Sequence, residues 1–182
     1  MENQRVEDIM IPLDQYPHVP CWYTLLQVME EMENAIIEFH GRKSLPRVVL
    51  VFDLDSHLHG VVRRRDILRG LEPEFLSAKS MEYRKKLFDV AIDPNLAEFS
   101  YDKMLKNCEH RAEHPVSDVM LPIETTVDHN DHIMRVIYEM VDKNLSLIPV
   151  LKDKTVIGVV RSVDVFHEIS TILINRKRKE SK

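Results

Sequence analysis

The sequence predicts a mixed α/β (α+β) protein built from two β-α-β-β-α repeats packed in pseudo-twofold symmetry, with a helical insertion between them. Three observations predict it. Val6-Glu7-Asp8-Ile9-Met10-Ile11-Pro12 recurs as Val116-Ser117-Asp118-Val119-Met120-Leu121-Pro122. Gly60-Val61-Val62-Arg63-Arg64-Arg65-Asp66 recurs as Gly158-Val159-Val160-Arg161-Ser162-Val163-Asp164. The pattern of apolar residues between these landmarks also recurs in the same order, which marks an internal repeat.

The second copy is the plainer of the two. Val127 opens a short extended piece, and His129-Asn130-Asp131 reads as a turn or cap. Ile133, Val136, Ile137 and Met140 then fall at helical spacing, which predicts an amphipathic helix over about 131–143. Leu147–Leu151 reads as a strand, Lys152–Lys154 as a turn and Val156–Val160 as the return strand of a hairpin. A helix follows from Ser162 to about Leu173, with Val163, Phe166, Ile169 and Leu173 on its apolar side.

The first copy follows the same plan with two changes. The stretch Asp14–Pro20 is longer, and the helix from about Tyr23 is predicted to continue past Met32 through Ala35, Ile36, Ile37 and Phe39. Val48–Phe52 and Leu58–Val62 form its hairpin around Asp53–His57, and a short helix after Arg63 ends near Gly70. The predicted divisions are 6–70 for the first repeat, 71–115 for the insertion, 116–173 for the second repeat and 174–182 for a disordered basic tail. The insertion is too long for a structureless loop. Its apolar residues suggest two helices, one carrying Phe75, Leu76, Leu87 and Phe88, the other Leu96, Phe99, Met104, Leu105 and Cys108.

A β-α-β-β-α unit of this size leaves one sheet face open. Two units packed sheet to sheet cover both, which predicts two equivalent crevices between the halves.

These landmarks resemble those of the cystathionine-β-synthase (CBS) domain, here as a tandem pair, the Bateman module. The second copy carries the resemblance best, in Val119-Met120, Val127, Ser146-Leu147-Ile148-Pro149-Val150, Gly158-Val159-Val160 and Asp164. The resemblance implies regulation by ligand binding, with adenosine compounds as the usual ligands. It assigns ribose recognition to Asp66 and Asp164. It places the base between Val19 and Leu50 with Val51 in one site, and between Val127 and Ile148 with Pro149 in the other. A Thr or Ser that touches ribose or phosphate in the family is replaced in both copies, by Arg63 and Arg161, and the proline at the position of Pro149 is Leu50 in the first copy.

The residue chemistry leaves two readings open. A carboxylate accepts two hydrogen bonds from a vicinal diol, which suits Asp66 and Asp164 to ribose. An acid in a first helical turn also suits the helix dipole with no ligand at all. A guanidinium at a helix start needs a compensating charge. That is either a phosphate gripped in bidentate fashion or an acid of the chain itself, with Asp66 and Asp164 the candidates. Arg64 and Arg65 add positive charge to the first copy alone, so an anionic ligand is expected to prefer that crevice.

The net charge of −5 gives no reason to expect DNA. Two distant cysteines imply no disulfide framework, no apolar run spans a bilayer, and no leader precedes the first repeat, so a cytoplasmic protein without a membrane partner is expected. No catalytic motif is present, and no obligatory cofactor or metal is expected. His57-x-His59 and Cys108-x-His110-x3-His114 have ligand-like spacing, but they read better as solvated residues. The expected function is a non-catalytic sensor of an AMP-, ADP- or ATP-like nucleotide. It would act as a homodimer that signals to an effector protein through shape or assembly. The alternative is a ligand-free dimerisation scaffold with Arg63 and Arg161 filling the pockets.

Overall fold

The computed structural model describes residues 4–72 and 101–180. The first half contains β1 (Ile11–Pro12), β2 (His18–Pro20), α1 (Leu25–Asn34), β3 (Ile37–Phe39), β4 (Arg42–Ser44), β5 (Val48–Phe52), β6 (Leu58–Arg63) and α2 (Arg64–Leu71). After α3 (Tyr101–Ala112) come β7 (Val127–Asp128), α4 (Ile133–Asp142), β8 (Leu147–Lys152), β9 (Thr155–Arg161) and α5 (Ser162–Glu180). The β-α-β-β-α order is thus present twice. Met104, Leu105 and Cys108 of the insertion's second expected helix lie on α3, while its Leu96 and Phe99 lie outside the described residues. Phe75, Leu76, Leu87 and Phe88 of the first lie outside the described residues.

α1 and α4 begin where local chemistry favours it. Thr24 and Gln27 exchange side-chain and backbone hydrogen bonds at the start of α1, a reciprocal cap. The His132 ring accepts the Met134 N–H at the start of α4. Two elements differ from expectation. α1 stops at Asn34, and Ile37, Phe39 and the residues after them form the β3–β4 hairpin instead of a longer helix. His40 and Gly41 both have positive φ, 49° and 72°, as a two-residue turn of mirror-image type requires. Glu38 and Lys43 sit opposite each other across it, 3.7 Å apart at the charged atoms. At the other end of the chain, α5 runs past Leu173 through Arg176–Lys179, so the basic run expected as a disordered tail is helical as far as Glu180.

The two main sheets have the orders β2-β5-β6 and β1-β9-β8-β7. β5 is buried at four successive positions, and its side chains alternate between two environments. Val49 and Val51 enter a core under α1 with Val28 and Ile67, while Val48 and Leu50 enter a cluster that includes Leu147 and Val159 of the other sheet. β8 repeats the arrangement, with Ile148 and Val150 packed with Ile133 and Val136. The sheets therefore face each other, and the helices cover their outer sides.

The leading segment of each repeat belongs to the opposite half. β1 pairs with β9, Ile11 against Val159 and Pro12 against Gly158. Its counterpart Leu121 exchanges both backbone hydrogen bonds with Val61, at 2.8 and 2.9 Å. Val6 is buried in the second half's core, and Val116 in the first half's. This exchange explains why the two sequence landmarks occur together. A Cβ at Gly158 would lie 2.4 Å from the Ile11 carbonyl oxygen, and one at Gly60 would lie 2.6 Å from that of Leu121. Only glycine admits the crossing backbone. The Met10 and Met120 sulfurs close over the same two glycines.

Candidate functional site

The end of each hairpin and the start of the following helix bring Arg and Asp together. Arg63 closes β6, and Asp66 lies in the first turn of α2. Arg63 Nε and Nη2 donate to the two Asp66 oxygens at 2.8 and 2.9 Å, and the Arg63 backbone N–H donates to Oδ2 at 3.1 Å. Arg161 and Asp164 form the same bidentate pair at 2.6 and 2.8 Å. Of the two partners the sequence left open for the arginines, the structure pairs each with the acid of its own copy. Burial alone would raise the Asp66 pKa. The hydrogen bonds and charge of Arg63 outweigh it and hold the carboxyl below the usual carboxylate range.

The two pairs differ in their surroundings. The Arg63 side chain is 36% exposed over an Asp66 side chain that is 1% exposed. It borders a crevice lined also by Val61, Leu121, Glu124, Thr125 and Pro149. Glu124 adds negative charge opposite the guanidinium. That crevice encloses about 70 Å³, against roughly 300–1,000 Å³ for sites that enclose drug-sized ligands. Arg161 is only 12% exposed, and its Nη1 makes a third bond, to Ser44 Oγ of β4, at 2.8 Å. Tyr16 is buried nearby, donating to the Val48 carbonyl at 2.7 Å, and burial pushes its hydroxyl pKa upward. The extra length before β2 and the β3–β4 hairpin thus supply Tyr16 and Ser44 to the second pair. Neither residue was among those singled out in the sequence. The signal was the longer first-copy stretch itself.

The expected base-flanking residues divide by strand periodicity. Neighbours in a strand face opposite ways, so Leu50 and Val51 do not share a crevice, nor do Ile148 and Pro149. Val51, Ile148, Val19 and Val127 are packed in the helix-side cores, and Leu50 is fully buried between the sheets. Pro149 lines the Arg63 crevice, and Val19 also borders a larger cleft of about 980 Å³ near the hairpin tips, with Trp22, His18 and Lys154. Arg64 is exposed at the start of α2.

His57 lies near Asp53 and Asp55, where one Asp53 oxygen accepts the backbone N–H groups of Asp55 and His57 and so builds the turn. The His110 and His114 rings meet edge to face at 5.8 Å, while the Cys108 thiol contacts the Leu71 carbonyl.

A family model described as the CBS domain matches residues 6–73 and 116–171, most of the chain and both repeats. The chain belongs to the CBS-domain family. Solved CBS structures reproduce its fold. One is the CBS domain of a CBS domain containing membrane protein from Sphaerobacter thermophilus, with 21% identity, 91% of this chain and 87% of that chain covered, and a TM-score of 0.61. A putative acetoin utilization protein (AcuB) from Vibrio cholerae has 18% identity, 96% of both chains covered and a TM-score of 0.60. CBSX2 in complex with AMP has 17% identity, 93% and 98% covered, and a TM-score of 0.59. No curated protein matches the chain. CBS pairs are regulatory modules, and the two Arg-Asp pairs mark the corresponding positions in each CBS repeat. Among the described residues, no helix is long and apolar enough to cross a membrane.

Proposed function

We propose that this CBS pair is a regulatory, non-catalytic module that senses an adenosine nucleotide of the AMP, ADP or ATP type at one crevice only, beside Arg63. The chain itself fills the crevice beside Arg161. The observation that carries this reading is the difference in how the two arginines are held. Arg161 is enclosed and triply bonded, whereas Arg63 is one-third exposed and, among the described residues, bonded to Asp66 alone. Release of Arg63 from Asp66 would open the small crevice. The guanidinium would then grip a phosphate in the same bidentate geometry. Asp66, freed of the guanidinium and keeping only the Arg63 backbone N–H on Oδ2, would accept the ribose hydroxyls with its remaining lone pairs, and Arg64 adds positive potential at the same end. A solved CBS relative holds AMP. The output would pass to an effector protein through shape or assembly.

A second reading also has an observation behind it. Both acids are already satisfied by their own arginines, as a ligand-free scaffold requires. Calorimetry with AMP, ADP, ATP and S-adenosylmethionine, paired with thermal melts, separates the two. The sensing reading expects one nucleotide per chain and a melting temperature that rises with nucleotide concentration. It also expects Arg63→Thr combined with Arg161→Thr to abolish binding. Flat titrations of the wild type, with binding created in that double variant, would establish the scaffold instead.

A further inference from the structure

The tip of the β5–β6 hairpin carries chemistry that its twin lacks. Asp53, Asp55 and His57 stand at alternate positions around the turn. An oxygen of each carboxylate and a ring nitrogen of His57 lie within 4.8 Å of one another. The two Asp53 oxygens have different tasks. Oδ1 accepts the backbone N–H groups of Asp55 and His57 at 2.9 and 2.8 Å, while Oδ2 faces His57 Nδ1 at 3.6 Å. That gap is too wide for a hydrogen bond. Two donors held tetrahedrally by one Zn²⁺ at its usual bond lengths sit about 3.4 Å apart. The His57 N–H is the chief reason that the Asp53 carboxyl stays below the usual carboxylate range, and the charges of His57 and His59 lower it further. The turn uses only the backbone N–H of Asp55, which leaves that carboxylate for a ligand. Asp55 and His57 are exposed, so a small rotation of each closes the three donors on one point. At the corresponding tip of β8–β9, Lys152 and Lys154 flank Asp153. Two ammonium groups oppose a cation there.

We propose that Asp53, Asp55 and His57 hold a divalent first-row metal ion of the zinc class at the tip of the β5–β6 hairpin. Two carboxylates and a neutral imidazole bring two negative charges, which match the ion. The donor types select its class. Ca²⁺ takes roughly 6–8 oxygen ligands and Mg²⁺ a rigid octahedron rich in water, whereas an imidazole nitrogen favours Zn²⁺ and its neighbours in the row. Three protein ligands leave a coordination position open. All three residues line the cleft of about 980 Å³ near the hairpin tips, so that position borders the cleft. The site is separate from the crevice beside Arg63, which lies at the other end of β6. It needs no nucleotide.

Calorimetry of the full chain with Zn²⁺, free of nucleotide, tests it. Co²⁺ gives a second reading by quenching Trp22, the chain's single tryptophan, which lines the same cleft. One tightly held Zn²⁺ per chain is expected, with Ca²⁺ and Mg²⁺ at least about tenfold weaker. Loss of an outer partner of a bound metal costs roughly 10–100-fold in affinity, so loss of a ligand is expected to cost about a hundredfold. His57→Ala and Asp55→Asn are the direct variants. Asp53→Asn keeps an oxygen for the two N–H groups of the turn and removes the charge, so it is expected to weaken Zn²⁺ while the metal-free melting temperature stays as in the wild type. His110→Ala with His114→Ala, the other histidine pair, is expected to leave binding unchanged. A wild type that takes no Zn²⁺, an affinity untouched by His57→Ala or Asp55→Asn, Ca²⁺ held as tightly as Zn²⁺, or loss of binding in the His110 and His114 variant would overturn the inference.

Discussion

The two halves of this molecule share a plan and differ in what they do with it. The first half spends its extra residues inward: the lengthened entry to β2 and the β3–β4 hairpin place Tyr16 and Ser44 near Arg161. The second half carries no such additions, and a crevice of about 70 Å³ remains beside Arg63. On the outside the roles reverse, with an apolar helical face on the second half and a charged one on the first. Duplication thus supplied two equivalent surfaces and two equivalent clefts, and short insertions with a few charge replacements made each pair unequal.

The strongest way to break the comparison is to attack what the halves share. Gly158→Val drives a side chain into the Ile11 carbonyl and is expected to cost about 3 kcal/mol or more in urea unfolding. Gly60→Val should cost less, about 2 kcal/mol, because its partner forms a single bridge where β1 pairs at two positions. The paired acids come next. Asp164→Asn strands an enclosed guanidinium and is expected to cost about 3 kcal/mol. Asp66→Asn should cost about 1.5 kcal/mol, because Arg63 can turn to water. Equal losses from the two acids would remove the distinction between a locked and a releasable arginine. Tyr16→Phe removes a buried hydrogen bond to Val48 and is expected to cost about 1 kcal/mol, read from the shift in denaturation midpoint.

The smallest effect sharpens the picture through pH. The Asp66 carboxyl is held below the usual carboxylate range. Its contribution is therefore fully present above its unfolded pKa of about 3.9 and is lost as pH falls through the folded value. Asp66→Asn should flatten the acid loss of stability below about pH 5, as followed by thermal melts across that range. An unchanged acid limb would mean that other carboxylates govern it.

Much of this was legible in the sequence. The repeated landmarks and the hairpins of β5–β6 and β8–β9 follow from turn chemistry and alternation, and the family follows from the landmarks. The misread segment at Ala35–Phe39 shows where periodicity runs out. Its apolar residues fit a helix face and a strand equally well, and the His40-Gly41 turn decides for the strand. The base-flanking positions were harder to read for a different reason: adjacent strand positions face opposite ways, so Leu50 and Val51 enter different clusters, and Ile148 is core where Pro149 borders the crevice. The partner of each arginine was open because a helix-start guanidinium accepts a phosphate or an acid alike. Only the three-dimensional register shows that Asp66 and Asp164 are within reach. Nothing local in Val6–Pro12 says that it will join the far half.

That exchange has a consequence for how the protein comes into being. Ile11 waits for Val159, about 150 residues later, before its strand has a partner. An emerging chain therefore holds an unfinished first half through most of its synthesis, because Val116 and Leu121, which complete it, open the second copy. Neither half is a unit that severing the chain between the copies would release intact. The molecule is expected to fold in one late, concerted event, and a break in the insertion would leave two fragments able to recover their shape only by finding each other.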